Sequence, residues 1–167
     1  MKKHISLFLL LVIIPCVHAR EIKIKWRDVI EVKDLAKARE TAESEKKLIT
    51  IIVSSKKFDS DNQGAEQTVD VLKTTIKALK ASSVIVRSSY EDVMGLKKGD
   101  EFNMAVAEGV EKAGNVQPMI IVLNSAEKKL VAVIPPGDIY KNGSKAFRDV
   151  KKTARALKKT ARVLKNK

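Results

Sequence analysis

Cysteine and histidine are almost absent from this chain. Its 167 residues include one cysteine, Cys16, and two histidines, His4 and His18. Beyond His18 there is no thiolate nucleophile, no cysteine for a disulfide and no imidazole base or ligand. Disulfide frameworks, Ser-His-Asp and Cys-His sites and ordinary zinc sites are therefore excluded from that part of the chain. Carboxylates, amines, guanidinium groups, hydroxyls and amides remain for any chemistry.

The N-terminus has the pattern of a secretory signal peptide. Lys2 and Lys3 precede an apolar run over 5–14, and Ala19 provides a small residue at the expected cleavage point. The run is too short to cross a bilayer as a stable helix. We therefore expect a periplasmic or secreted protein that is cleaved after Ala19. Retention as an anchor and lipid attachment at Cys16 are the alternatives.

Positive charge is concentrated near the C-terminus. The whole chain carries a formal charge of +13. Residues 141–167 hold eleven Lys or Arg and one acid, whereas residues 20–140 hold twenty bases and nineteen acids. The net positive charge of the chain therefore comes mainly from residues 141–167, and residues 20–140 are nearly neutral.

The spacing of apolar residues predicts alternating strands and helices. Strands are predicted at 22–26, 48–53, 84–86, 119–123 and 130–134, and helices at 34–45, 65–81, 100–114 and from Ser144 onward. The run 48–53 is continuous and β-branched, which predicts a strand buried on both faces. The whole order predicts an α/β fold in which a mixed central sheet is covered by helices on both faces.

Cap and breaker residues predict where several helices begin and end. Asp34 and Asp100 precede helical patterns and are expected to cap them, and Gly114 is expected to end the helix that Asp100 begins. Pro135-Pro136-Gly137 is expected to interrupt regular structure. With the signal peptide at 1–19, these elements predict one domain over 20–157, followed by a basic helical extension over 158–167.

The element order resembles that of the thioredoxin-like family, with one extra N-terminal strand. The resemblance covers about residues 26–157 and rests on three features. The first is the buried strand at 48–53, followed by a polar loop and a helix. The second is Val116-Gln117-Pro118 before a strand, where the family has a cis-proline. The third is the terminal hairpin and helix. This resemblance implies a three-layer sandwich with a long C-terminal helix.

The resemblance also implies that the redox site of the family is missing. Asp59 and Asn62 fall at the two cysteine positions, and neither a carboxylate nor an amide can attack a disulfide. In the family, backbone beside the cis-proline pairs with an extended peptide, so a groove for a peptide or ligand is implied here too. The alternative is that these residues only hold the loop. The candidate groove residues are Phe58, Asp59, Asn62, Val116, Gln117 and Pro118.

The C-terminal segment contains a seven-residue repeat. Residues 151–157 (KKTARAL) are followed by 158–164 (KKTARVL), with a single substitution. Apolar residues spaced by three and four predict one narrow helical seam, which packs on the sheet in the first half of the helix. The second half is predicted to project as a basic amphipathic helix. The candidates for contacting an anionic partner are Lys151, Lys152, Arg155, Lys158, Lys159, Arg162 and Lys165.

These patterns favour a non-catalytic binding protein over an enzyme. Its expected partner is a peptide, a protein, an anionic envelope polymer or a membrane surface. Export and the lack of aromatic residues beyond Phe147 argue against nucleic acid. The alternatives are a hydrolase or lyase using Asp59 and Asp61, and a thiol-independent chaperone-like protein. No cofactor or metal is expected, because the loop after Phe58 matches a calcium loop only in part.

Overall fold

Five strands form one central sheet in the computed structural model, which describes residues 29–54, 63–96, 99–114, 116–139 and 145–165. The strands are β1 (Val29–Glu31), β2 (Leu48–Ser54), β3 (Ser83–Ser89), β4 (Met119–Asn124) and β5 (Lys129–Ile134). The helices are α1 (Leu35–Ser44), α2 (Gln63–Leu79), α3 (Tyr90–Met94), α4 (Glu101–Lys112), α5 (Pro136–Ile139) and α6 (Lys145–Lys165). A 3-10 turn, Val32–Asp34, leads into α1.

The strand order is β1-β3-β2-β4-β5. β1 and β2 both pair with β3 in parallel, whereas β4 is antiparallel to β2 and to β5. Parallel neighbours need helical crossovers, and β4 and β5 need only a short turn. The predicted α/β fold, a thioredoxin-like sandwich with a mixed sheet and a long C-terminal helix, is confirmed.

The two faces of the sheet carry different helices. On one face, which we call the α4 face, α1, α3 and α4 pack against Ile49, Ile51 and Val53 of β2. On the other, the α6 face, α2, α5 and α6 pack against Leu48 and Ile52. Successive side chains of a strand point to opposite faces, so a run of apolar residues supplies both cores. All seven residues of β2 are buried, which confirms the prediction of a strand covered on both sides.

Helix α4 is held by contacts at its start and at its middle. Asp100 accepts a hydrogen bond from the Phe102 amide at 2.9 Å, and it binds Arg39 of α1 at 2.7 Å. The Arg39 guanidinium also lies over the Phe102 ring, 4.8 Å from its centroid. Further along, a Cβ at Gly109 would lie 2.5 Å from Ile121 Cγ2. Glycine at this position therefore allows the helix to approach β4 closely.

The capping predictions are confirmed at α4 and wrong at α1. Asp100 caps α4 as expected, and Gly114 follows the helix with a φ of +70°. Asp34 directly precedes α1, but its side chain makes no capping hydrogen bond. The 3-10 turn before α1 explains the difference, because it already gives the chain a helical path into that helix.

Two short helices and one strand were not predicted. α3 follows Ser89, whose hydroxyl accepts from the Asp92 amide at 3.1 Å, an N-terminal cap of the usual kind. β5 ends at Ile134 and Pro135 lies outside regular structure, as expected, but α5 begins at Pro136, because proline is compatible with the first turn of a helix. β1 at Val29–Glu31 is too short to show a period in the sequence.

The strand predicted over 84–86 is longer than its apolar core. β3 continues through Arg87, Ser88 and Ser89, because these residues pair with the end of β2. Arg87 also pairs with Glu31 of β1 and forms an ion pair with it. Tertiary pairing thus extends a strand that periodicity alone would stop. The predicted strand over 22–26 lies outside the described residues.

None of the helices in the described part of the chain is both long enough and apolar enough to cross a membrane.

Candidate binding surfaces

An apolar seam fixes the first half of α6 on the sheet. Phe147, Val150 and Ala154 are buried and belong to the core of the α6 face. Leu157 continues the seam and is half-buried against the same core. Ala161, the next residue of the seam, is also half-buried. The seam is therefore fully buried from Phe147 to Ala154 and only partly covered beyond it.

Helical geometry places all the basic positions of α6 on one side of the helix. The helix contains nine Lys or Arg and one acid. At 3.6 residues per turn, the nine occupy an arc of about 160° next to the apolar seam. They fall in three rows with seven-residue spacing, about 10.5 Å along the axis. The rows are Arg148-Arg155-Arg162, Lys151-Lys158-Lys165 and Lys145-Lys152-Lys159. We call this surface the basic arc.

The described side chains of the basic arc are open to solvent to different degrees. Lys152, Arg155 and Lys159 are exposed, whereas Lys151 and Lys158 lie nearer the seam and are half-buried. The side chains of Arg162 and Lys165 are outside the described part of the structure. The structure therefore brings five of the seven predicted basic residues to one accessible surface.

The remaining side of α6 carries no basic residue. It holds Asp149, Ala156 and two threonines. The Thr153 hydroxyl donates to the Asp149 carbonyl oxygen at 3.1 Å, and the Thr160 hydroxyl donates to the Ala156 carbonyl oxygen at 3.1 Å. These hydroxyls are satisfied by their own helix, as is usual for threonine inside helices. The positive charge of α6 is thus directed to one side.

One residue of the basic arc contacts the end of another helix. Lys158 Nζ donates to the Ala81 carbonyl oxygen at 3.4 Å. Ala81 lies two residues beyond α2, where carbonyl groups lack helical partners and favour a cation. Lys77 and Lys80, which precede this carbonyl, are exposed. Sequence analysis did not single out these two lysines, although their spacing with Lys73 is that of one helix side.

The second predicted surface lies where β4 begins. The Gln117–Pro118 peptide bond is cis, and Met119 then pairs with Val53 at the end of β2. Val116 is 54% exposed, whereas Gln117 and Pro118 are half-buried. Three further predicted groove residues, Phe58, Asp59 and Asn62, lie outside the described residues. The groove as a whole therefore stays a prediction.

The described residues contain no metal-binding arrangement: none of their His, Cys, Asp and Glu side chains form a group of three or more that could hold an ion. The two candidate binding features among the described residues are the basic arc of α6 and the exposed side chain of Val116 near the cis-proline.

Comparison with protein-family models gives no match. Comparison with curated proteins gives none either. Among solved structures, the chain is similar to the crystal structure of a disulphide isomerase from Xylella fastidiosa Temecula1, with a TM-score of 0.42 and 11% sequence identity. The similarity covers 76% of this chain and 90% of that chain.

Proposed function

We propose that this chain is an exported, non-catalytic binding protein whose basic arc holds an anionic partner. The observation that carries the proposal is the arrangement of α6: its apolar seam is used for packing, and the seven basic residues whose side chains are described all lie to one side. Because α6 is packed on the sheet, its basic side chains are held in a defined arrangement relative to the domain. Clustered basic groups attract anionic partners and speed their association.

The absence of cysteine and histidine beyond His18 supports binding rather than thiol chemistry. A thioredoxin-like scaffold without a thiolate cannot exchange disulfides. Disulfide reductase turnover by the purified protein would contradict this part of the proposal. Export rests on the first 19 residues, and N-terminal sequencing of the secreted chain should begin at Arg20.

The main experiment compares two triple variants of the full chain. Lys152→Gln, Arg155→Gln and Lys159→Gln together remove three exposed charges from the basic arc. The matched control removes three exposed lysines around α1, on the opposite face of the sheet. The control carries Lys33→Gln, Lys37→Gln and Lys46→Gln.

Binding is measured by titration calorimetry against inorganic polyphosphate, polyglutamate and vesicles containing phosphatidylglycerol. We expect the α6 triple variant to bind at least about tenfold more weakly at low salt, since each basic residue near an anionic surface contributes about 1 kcal/mol. The control should bind like the unmodified chain. Equal loss in both variants would show that only net charge matters and would contradict a role for the basic arc.

A second candidate function is peptide binding beside the cis-proline. The observation that favours it is the exposure of Val116, an apolar residue next to the start of β4. An exposed strand terminus with an apolar side chain suits an extended peptide. Titration with an unfolded, cysteine-free polypeptide should shift the amide NMR signals of Val116 and Met119. Shifts confined to other regions would argue against this candidate.

A further inference from the structure

We propose that the basic arc of α6 continues onto the end of α2, and that the two helices together bind a flexible linear polyanion carrying phosphate or carboxylate groups. This inference rests on the proposed function and adds two things to it. It assigns Lys77 and Lys80 to the binding surface, and it names the class of partner.

The contact between Lys158 and Ala81 joins the two helices. The Lys158 ammonium lies 3.4 Å from the Ala81 carbonyl oxygen, and Ala81 directly follows Lys80 in the chain. An ammonium group has three donors, so this hydrogen bond leaves Lys158 able to bind an anion as well. The end of α2 is therefore adjacent to the row of the basic arc that lies nearest the seam, about halfway along α6.

The last turns of α2 add further positive charge at this point. Lys73, Lys77 and Lys80 are spaced by four and three, which places them along one side of the helix. Lys77 and Lys80 are exposed and Lys73 is half-buried. None of the three forms an ion pair with the residues that the structure describes. Residues 70–80 hold these three lysines and one acid, Asp70, so cations outnumber acids at the end of α2.

The shape and composition of the surface favour a flexible polymer over a bilayer. Helices that lie on membranes bury an apolar face among the lipids, and the apolar face of α6 from Phe147 to Leu157 is already packed on the sheet. The basic arc contains only Lys and Arg, with Val163 at its margin. An arc of about 160° also curves away from a plane, so a flat surface reaches only part of it. A flexible chain can follow the arc and cross to α2.

Arginine forms the central row of the arc. Guanidinium groups bind phosphate and carboxylate through paired hydrogen bonds, whereas ammonium groups act as point charges. Both kinds of anion fit this row, so the experiment compares a phosphate polymer with a carboxylate polymer.

The test measures how salt weakens the binding of the full chain to inorganic polyphosphate and to polyglutamate. The slope of log affinity against log salt concentration counts the charges neutralised, at about 0.7 per contact for a single-stranded polyanion. In the variant with Lys77→Gln and Lys80→Gln, we expect the slope to fall by about 1 to 2 and affinity to weaken roughly tenfold at low salt. The control, with Lys33→Gln and Lys37→Gln, should keep the slope of the unmodified chain.

The outcomes separate this inference from the proposed function. If the α2 pair behaves like its control while the α6 triple variant loses binding, the extension onto α2 is wrong and the function stands. If the chain binds phosphatidylglycerol vesicles but neither polymer, the class of partner is wrong. If the α6 triple variant binds as well as the unmodified chain, the function itself fails. All substituted residues are exposed, and equal urea midpoints will show that every variant is folded.

Discussion

The two faces of the sheet are stabilised in different ways. On the α4 face, specific polar contacts join the elements: Arg39 binds Asp100, and the Ser125 hydroxyl donates to Glu43 at 2.9 Å. On the α6 face, the described residues include four buried hydroxyls that make no hydrogen bond with any other described group. They belong to Thr50, Ser54, Thr75 and Ser83.

Strand alternation assigns these hydroxyls to one side. Thr50 and Ser54 alternate with the β2 residues that face α4, and Ser83 precedes Val84, which also faces α4. Thr75 lies on α2 itself. The α4 face thus combines apolar packing with directed polar contacts, whereas the α6 face holds buried hydroxyls without a described partner and presents basic charge outside.

The largest change in stability is expected for a substitution that tests the close packing of the α4 face. In Gly109→Ala, the new Cβ would lie 2.5 Å from Ile121 Cγ2, closer than carbon atoms approach without movement. We expect the free energy of unfolding to fall by about 1–3 kcal/mol, the usual cost of an overfilled core. Urea denaturation measures the change.

Gly137→Ala is the matched control for this substitution. A Cβ at Gly137 would meet no atom within 4 Å, and its φ is outside the left-handed region. Its stability should stay within about 0.5 kcal/mol of the unmodified chain. Equal losses at the two glycines would remove the argument that helix α4 needs a glycine to approach β4.

On the α6 face, we expect a substitution to change the free energy of unfolding by a smaller amount and to increase it. Thr50→Val replaces a buried hydroxyl that has no described partner with a methyl group of similar size. We expect the free energy of unfolding to rise by about 1 kcal/mol, because an unsatisfied buried group costs roughly that much. Thr153→Val is the control, since its hydroxyl bonds to its own helix in solvent. A loss of stability in Thr50→Val would reveal a partner for the hydroxyl and weaken the contrast between the faces.

The smallest change in stability is expected from removing the charge of Asp100. The hydrogen bond from the Phe102 amide lowers the pKa of this carboxyl below its ordinary value of 3.8; burial acts in the opposite direction, and Arg39 adds to the lowering. A lowered folded-state pKa contributes stability above the unfolded value, which is lost as the pH falls through the folded value. The contribution is therefore complete at pH 7 and at pH 5.

Asp100→Asn keeps a capping oxygen and removes the charge. We expect it to be less stable by under about 1 kcal/mol at pH 7, because the carboxylate is partly open to solvent. The difference should shrink below pH 3.8, where the unfolded aspartate takes up a proton. Urea unfolding at pH 7, 5 and 3 measures this trend, and a difference that grows with acidity would contradict it.

Much of this fold could be predicted from local patterns. The apolar run of β2, the helix α4 and the cap at Asp100 depend on near neighbours in the chain, and all three are confirmed. The full extent of β3 could not be predicted, since its last residues are held by pairing with a distant strand. β1 has only three residues, so pairing with β3, rather than any pattern, makes it a strand.

The candidate surfaces were predictable to a different degree. The basic side of α6 follows directly from the seven-residue repeat, because helical geometry places repeated residues in rows. Lys77 and Lys80 could not be joined to that surface from the sequence alone. Their proximity to it depends on the contact between Lys158 and Ala81, which are 77 residues apart.

The repeat within α6 has a kinetic consequence for the proposed partner. A polymer that slides by one repeat, about 10.5 Å, meets the same arrangement of arginine and lysine that it has just left. If α6 binds such a polymer as proposed, neighbouring registers would be nearly equal in energy, and the partner would move among them without dissociating. On such a surface, the polymer would be restrained from moving across the helix but would be able to slide along the helix axis.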